Sequence, residues 1–264
     1  MSYTPQILID NKNNYPNEPA LSVKQNNEWQ TLSWSEYYDF VIKISKSLIA
    51  CGIKPGDKGS IYSYNRKEWF GCYSALQMIN SASVGVYHTS SAPEVEWVIG
   101  NSDSKIVFVG NNPNDNGDKE KMPIHRLISV IENLDQVVQI VLMGDDIERI
   151  NHDKIVSWNE FIDQGASIDE NTIFDLMKTI KPVDTSSLIY TSGTTGNPKG
   201  VVYHHRGSYL MATGSAVAWN MPNKLNFLYT VPMFHCNGWC YPWTMSMLHG
   251  RVICLRNIDV KKIF

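Results

Sequence analysis

Short apolar runs alternate with longer stretches of helical periodicity over much of this chain, and this alternation limits the fold more than any other feature. The predicted strands are 61–64, 83–87, 105–109, 137–143, 225–231 and 251–255, and the predicted helices are 31–52, 69–79, 93–100, 158–162 and 206–218. Strands separated by helices form βαβ units, in which the strands run parallel and the helices cover the sheet. The sequence therefore predicts an α/β fold with mostly parallel sheets flanked by helices.

The helix at 31–52 is the best defined of these elements. Ser33 and Glu36 have the spacing of a capping box, and the apolar side chains that follow fall on one face of the helix. The polar residues 11–28 in front of it are interpreted as a leading segment of the fold.

Residues 190–201, with the sequence YTSGTTGNPKGV, lie between two strand-like runs. We expect a loop that joins two strands. Its glycines let the backbone approach a ligand closely, its serine and threonine hydroxyls donate hydrogen bonds, and Lys199 adds a positive charge. Such a loop suits an anion with several oxygens, such as a nucleotide triphosphate.

The spacing within this loop differs from that of the P-loop, G-x-x-x-x-G-K-[ST]. Lys199 follows Gly196 by three positions, whereas the P-loop lysine follows its second glycine directly. From composition alone, an ordinary exposed hairpin loop is the alternative interpretation.

A second informative stretch, residues 232–242, has the sequence PMFHCNGWCYP and follows a predicted strand. Ligand crevices in open α/β sheets lie beyond the carboxyl ends of strands, and aromatic walls with one imidazole suit an apolar tail with a polar head. An aromatic core cluster with a buried histidine is the alternative. Cys236, Cys240 and His235 lack a second ligand pair, a pattern that does not favour a metal site. His204 and His205 are expected to pack at the end of a strand.

Composition narrows the class of protein. The net charge of −3 gives no reason to expect nucleic acid or an anionic membrane as a partner. The five cysteines show no C-x-x-C spacing, which is typical of reduced thiols in an intracellular protein. No signal-peptide core and no apolar run of membrane-spanning length are present, so we expect a cytoplasmic protein without an integral membrane segment; a peroxisomal address is also compatible with the sequence.

Residues 190–201 resemble the phosphate-loop signature of the adenylate-forming (AMP-binding) superfamily, which includes acyl-CoA synthetases, adenylation domains and luciferases. Residues 232–239 look most like the acyl-activating enzymes that handle short- and medium-chain fatty acids. Weaker resemblance covers nearly the whole chain. Asn80, where the family often has glycine, and His204, where a small residue is common, depart from the pattern.

The resemblance implies roles for particular residues and co-substrates. The ATP phosphates would be held by Thr191, Ser192, Gly193, Thr194, Thr195, Gly196, Asn197, Pro198 and Lys199. The acyl pocket would be bordered by His235 and shaped by Gly238 and Trp239. The implied reaction is that of an AMP-forming acyl-CoA ligase: a fatty acid attacks Mg²⁺-bound ATP to give an acyl-adenylate, and coenzyme A then displaces AMP. No dedicated protein cage for a metal is implied.

The later motifs of the family, its small C-terminal domain and its catalytic lysine have no counterpart in the sequence. Residues 1–264 are therefore expected to form a partial N-terminal AMP-binding domain, with the catalytic residue unassigned and negligible thioester formation by this polypeptide alone. We also expect the strand at 251–255 to lack neighbours and residues 257–264 to begin a helix. The alternatives are a non-catalytic nucleotide- or acyl-binding remnant, or a poorly folded fragment whose open sheet self-associates. The oligomeric state is not predicted.

Overall fold

The computed structural model describes residues 3–25, 28–111, 118, 120–144, 147, 150–191, 196–235, 238 and 240–255. The helices are α1 Thr4–Asn14, α2 Trp34–Ala50, α3 Lys67–Met78, α4 Ala92–Asn101, α5 Pro123–Ile128, α6 Trp158–Gln164, α7 Glu170–Lys178, α8 His205–Ala218 and α9 Tyr241–Met247. The strands are β1 Pro19–Gln25, β2 Glu28–Ser33, β3 Lys58–Tyr62, β4 Ala82–Val86, β5 Ser104–Val109, β6 Gln139–Leu142, β7 Ile155–Ser157, β8 Thr185–Thr191, β9 Lys199–His204, β10 Asn226–Tyr229 and β11 Arg251–Cys254.

The larger sheet confirms the predicted α/β architecture. Within the described residues it has seven strands in the order β7-β6-β5-β3-β4-β8-β9. Every neighbouring pair is parallel except β8 and β9, which form an antiparallel hairpin. The parallel strands therefore end at one common edge.

Helices cover both faces of this sheet. The alternating directions of the side chains along β5 show this. Ile106 and Phe108 belong to one buried cluster, which includes side chains of α2, α3 and α7. Val107 and Val109 belong to a second cluster on the opposite face, with side chains of α4 and α5. Successive strand residues point to opposite faces, so both faces of β5 are buried and its sequence is continuously apolar.

Helix α2 has the predicted capping box. The Ser33 hydroxyl accepts from the Glu36 amide at 3.2 Å, and a Glu36 carboxylate oxygen accepts from the Ser33 amide at 2.7 Å. The helix begins at Trp34, later than the sequence predicts, because residues 31–33 complete β2.

The expectation that residues 251–255 lack neighbours is wrong. Strand β11 lies inside a second sheet, in the order β10-β11-β1-β2, and Val252 pairs with Phe227 on one side and Leu21 on the other. The missing neighbour is β1, which is formed by residues that the sequence analysis assigned to a polar leading segment. Residues 257–264, where a helix start is predicted, lie outside the described residues.

Strand β9 is one of the two edge strands of the larger sheet among the described residues, and β7 is the other. On the far side of β9 no described strand pairs with it. Val202 on this strand has 60% of its surface exposed.

Candidate functional site

The glycine-rich stretch forms the loop of the β8–β9 hairpin, as predicted. Thr191 pairs with Lys199 at the end of the ladder, so residues 192–198 make the connection. Ser192, Gly193, Thr194 and Thr195 lie outside the described residues. Gly196 has a φ of +87°, a left-handed conformation that favours glycine, and no described atom lies near the position of a Cβ there.

The described part of this loop faces solvent. Thr191, Gly196, Asn197 and Lys199 are exposed, and Pro198 is half-buried. In the described part of the chain, no carboxylate forms an ion pair with Lys199. The ammonium group is therefore accessible to an anionic ligand.

The second stretch is fixed to the carboxyl end of the larger sheet by Asn65. The Asn65 amide nitrogen donates to the Val231 carbonyl at 2.9 Å, and its amide oxygen accepts from the Met233 amide at 2.8 Å. Asn65 follows β3 and is buried. These two bonds connect residues more than 160 positions apart, and sequence analysis did not identify Asn65.

His235 is exposed, and its Nδ1 lies 3.0 Å from the hydroxyl of Tyr87. Tyr87 directly follows β4 and packs edge-to-face against the buried ring of Phe234, with 4.8 Å between ring centroids. Aromatic rings thus lie beside His235, and its hydroxyl contact comes from Tyr87, a residue outside the stretch 232–242. Trp239 lies outside the described residues.

Gly238 is buried beside Tyr229, whose hydroxyl donates to the Gly238 carbonyl at 2.7 Å. Gly238 has a φ of +59°. Trp243, which directly follows this stretch, is buried against Tyr73 in the core, with 5.9 Å between ring centroids. The aromatic residues here therefore belong in part to an ordinary core cluster, as in the alternative interpretation.

The glycine-rich loop and the tyrosine that contacts His235 follow two adjacent parallel strands, β8 and β4. Gly85 in β4 is in register with Ile189 in β8. Tyr87 and Thr191 each lie two residues further on, and neighbouring strands are about 4.8 Å apart. The tyrosine that contacts His235 and the last residue of β8, which leads into the glycine-rich loop, therefore lie level at the same edge of the sheet.

His88 adds a second imidazole at this edge, next to Tyr87. Its ring lies 3.8 Å from that of Tyr64 and 5.0 Å from that of Phe234, measured between centroids. Burial, assisted by the positive charge of Arg126, lowers the pKa of His88 to about 4. The imidazole is neutral at physiological pH and so adds no positive charge.

The two histidines at the junction of β9 and α8 pack at the end of the strand, as predicted. His204 is the N-cap of α8, and its Nδ1 accepts from the Gly207 amide at 2.7 Å. His205 is fully buried, and neither of its ring nitrogens has a hydrogen-bond partner among the described residues. Burial lowers the pKa of His205 to about 4.

Asn80 has a φ of +58°, which explains how glycine and asparagine can both occupy this position. Its amide nitrogen donates to Asp184 at 3.0 Å and to Thr179 at 3.3 Å.

Among the described residues, no group of three His, Cys, Asp or Glu side chains could hold a metal ion. Cys236 lies outside the described residues, and Cys240 is buried. No described helix is both long and apolar enough to cross a lipid bilayer.

The molecule is thus an α/β protein with a glycine-rich hairpin loop and an aromatic–imidazole stretch at one edge of a largely parallel sheet. A family model described as AMP-binding enzyme matches residues 8–263. The chain belongs to the AMP-binding enzyme family.

Two similar relatives are plant ligases. The 2-methylpropanoate–CoA ligase CCL4 of Humulus lupulus is 30% identical over 237 residues, covering 88% of this chain and 40% of the relative. The peroxisomal acetate/butyrate–CoA ligase AAE7 of Arabidopsis thaliana is 29% identical over 250 residues, with 88% of this chain and 40% of the relative covered. This chain spans about two-fifths of the length of these relatives.

The fold is also found in O-succinylbenzoate coenzyme A synthetase (MenE) from Bacillus subtilis, whose structure is a complex with ATP and magnesium ion. The two structures superpose with a TM-score of 0.73 at 19% identity, over 97% of this chain and 59% of MenE. At this identity the likeness establishes the fold.

Proposed function

We propose that this chain is part of the AMP-binding domain of an AMP-forming acyl-CoA ligase, and that residues 191–199 bind the phosphates of ATP. The observation that carries the proposal is the exposed Lys199 beside a glycine-rich hairpin loop, at the sheet edge that also holds His235. A carboxylate that attacks a phosphate must meet it in line, which requires the two binding regions to be neighbours.

The charges of the region support an anionic ligand. Lys199 has no ion-pair partner among the described residues, and the adjoining Thr191 provides a hydroxyl donor. A carboxylate and a triphosphate repel each other, so such positioned donors lower the cost of their approach. The phosphates of ATP are suitable ligands for a magnesium ion, because Mg²⁺ is commonly bound through substrate phosphates and a few carboxylates. It would supply charge neutralisation there.

We propose a short- or medium-chain fatty acid as the acid substrate. Its apolar part would lie near Phe234 and Tyr87, in a pocket that is bordered by His235 and shaped by Gly238 and Trp239. The edge-to-face ring pair and the exposed imidazole support an apolar tail with a polar head. The two plant relatives, named for 2-methylpropanoate and for acetate or butyrate, agree with a small acid. Coenzyme A would be the thiol co-substrate. We place this function in the cytoplasm; the name of one relative is that of a peroxisomal enzyme.

The test is substitution of Lys199 by alanine, with binding of Mg·ATP and of pyrophosphate followed by calorimetric titration. A charge-assisted hydrogen bond contributes about 1.5–3 kcal/mol, so the affinity should fall roughly 10- to 150-fold. Lys178→Ala is the matched control, because Lys178 is an exposed lysine of α7 that pairs only with Asp175 among described residues. Equal affinities of the parent and Lys199→Ala would refute the phosphate-binding role.

Because negligible thioester formation is expected from this polypeptide alone, the acid is identified separately, by calorimetric titration of the chain with acids from butyrate to dodecanoate in the presence of Mg·ATP. A preference for the short and medium acids supports the proposed substrate class. A preference for dodecanoate over all shorter acids would contradict it.

A further inference from the structure

Trp97 is in contact with the loop proposed to bind phosphate, although it lies about 100 residues away in sequence. Its indole nitrogen donates to the Pro198 carbonyl at 2.9 Å. This carbonyl belongs to the peptide group that joins Pro198 to Lys199. The hydrogen bond therefore fixes the orientation of the peptide plane that directly precedes the Cα atom of Lys199.

A second contact from the same helix fixes the strand on the other side of the loop. The Tyr190 hydroxyl donates to the Asn101 side-chain oxygen at 2.7 Å. Trp97 and Asn101 are four residues apart in α4 and so lie on the same face of the helix. The aromatic ring of Tyr190 also packs beneath Gly200, where an added Cβ would lie 3.1 Å from the ring.

Helix α4 is a firm support for these contacts. It begins with a capping box formed by Ser91 and Glu94. Val95, Val98 and Ile99 bury its inner face in the core. Trp97, by contrast, is 37% exposed, so its indole can be altered without opening the core.

We propose that Trp97 is a positioning residue that holds the Pro198–Lys199 peptide in a binding-competent orientation and acts through Lys199, with Asn101 fixing the opposite strand. The inference rests on the proposed phosphate-binding function. Proline has no N–H, so the carbonyl is the only backbone hydrogen-bonding group of Pro198. Loss of the indole donor leaves the Pro198 carbonyl without this partner and the Pro198–Lys199 peptide less ordered. A ligand would then have to order the loop as it binds, and its affinity falls.

The experiment compares Trp97→Phe, which keeps an aromatic ring but removes the donor, with Trp219→Phe. Trp219 is 71% exposed and lies after α8, away from these contacts. Hydrogen–deuterium exchange of peptides that span residues 190–200 is measured in the ligand-free chain. We expect faster exchange in Trp97→Phe and parent-like exchange in Trp219→Phe, with melting temperatures unchanged. Equal exchange in Trp97→Phe and the parent would overturn the proposal.

A double-mutant cycle tests whether Trp97 acts through Lys199. Mg·ATP affinity should fall about 3- to 10-fold in Trp97→Phe, as expected for one hydrogen bond. In the Lys199→Ala background the same change should cost less than about 2-fold, because coupled residues are non-additive. Equal losses in both backgrounds would refute action through Lys199. If the parent chain does not bind ATP, the proposed function fails, whereas the exchange comparison still decides whether Trp97 orders the loop.

Discussion

The hydroxyl of Tyr229 donates to the carbonyl of Gly238 at 2.7 Å, inside the core and at the turn that leads into α9. The ring of Tyr229 is held edge-to-face against Phe70, with 5.3 Å between centroids. A Cβ added to Gly238 would lie 1.4 Å from the Tyr229 hydroxyl oxygen. The hydrogen bond thus requires glycine at position 238.

Gly238→Ala should lower the free energy of unfolding by about 3 kcal/mol or more, since overpacking and a left-handed alanine both carry a cost. Gly214→Ala is the matched control. Gly214 lies in α8 with no atom within 4 Å of an added Cβ. The control should raise stability by up to about 1 kcal/mol, the helix preference of alanine over glycine. Urea denaturation measures both, and a Gly238→Ala variant as stable as the parent would contradict the structure.

Asn65→Ala should detach the segment that carries His235. The substitution leaves the buried Met233 amide without its side-chain acceptor, and the expected loss of unfolding free energy is about 2–3 kcal/mol. Asn14→Ala makes the same chemical change at an exposed site, where the side chain bonds only to its own helix. It should change stability by less than about 0.5 kcal/mol. Similar losses in the two variants would count against the special position of Asn65.

The stability of the protein should fall as the pH drops from about 6.5 toward 4. The pKa values of His88 and His205 are lowered to about 4 by burial, below the ordinary histidine value of 6.5. In this window the unfolded chain binds more protons than the folded chain, so protonation favours unfolding. Above pH 6.5 both imidazoles are neutral in either state, and their contribution to stability is fully present.

His205→Phe should reduce this pH dependence, because the variant lacks one of the two groups. Melting temperatures are measured from pH 7.5 to 5.0, and each protein is compared with its own value at pH 7.5. Parallel profiles for the parent and the variant would show that His205 is not a source of the effect.

The open edge of β9 should promote self-association. An unpaired strand edge with exposed apolar side chains is a template for another chain, and a lysine on such an edge opposes pairing. Val202→Lys should therefore shift sedimentation velocity profiles toward smaller species at high protein concentration. Val138→Lys, at another exposed valine outside the strands, is the control. Equal association in the two variants would exclude this edge as the contact.

The elements that depend on a short local motif were predicted correctly from the sequence. Ser33 and Glu36 cap α2 as their spacing indicates, and the glycine-rich stretch connects β8 to β9. The order of the strands was not predictable in the same way. Strand β1 begins at a proline and was missed, and without it β11 was expected to be an edge.

The contacts around the candidate site were less predictable than its motifs. Asn65, Tyr87 and Trp97 lie far from their partners in the sequence, and no local spacing indicates the pairing. Their common signal is position: Asn65 and Tyr87 each follow a parallel strand closely, at the sheet edge where such folds bind ligands.

The pairing of β1 with β11 also bears on synthesis of the protein by the ribosome. Leu21 pairs with Val252, which is translated more than 200 residues later, so the two strands cannot form their ladder until then. Contacts between distant parts of a chain slow folding. The apolar side chains of β1 therefore emerge long before their partner strand exists, which makes this stretch a natural client for chaperones during translation.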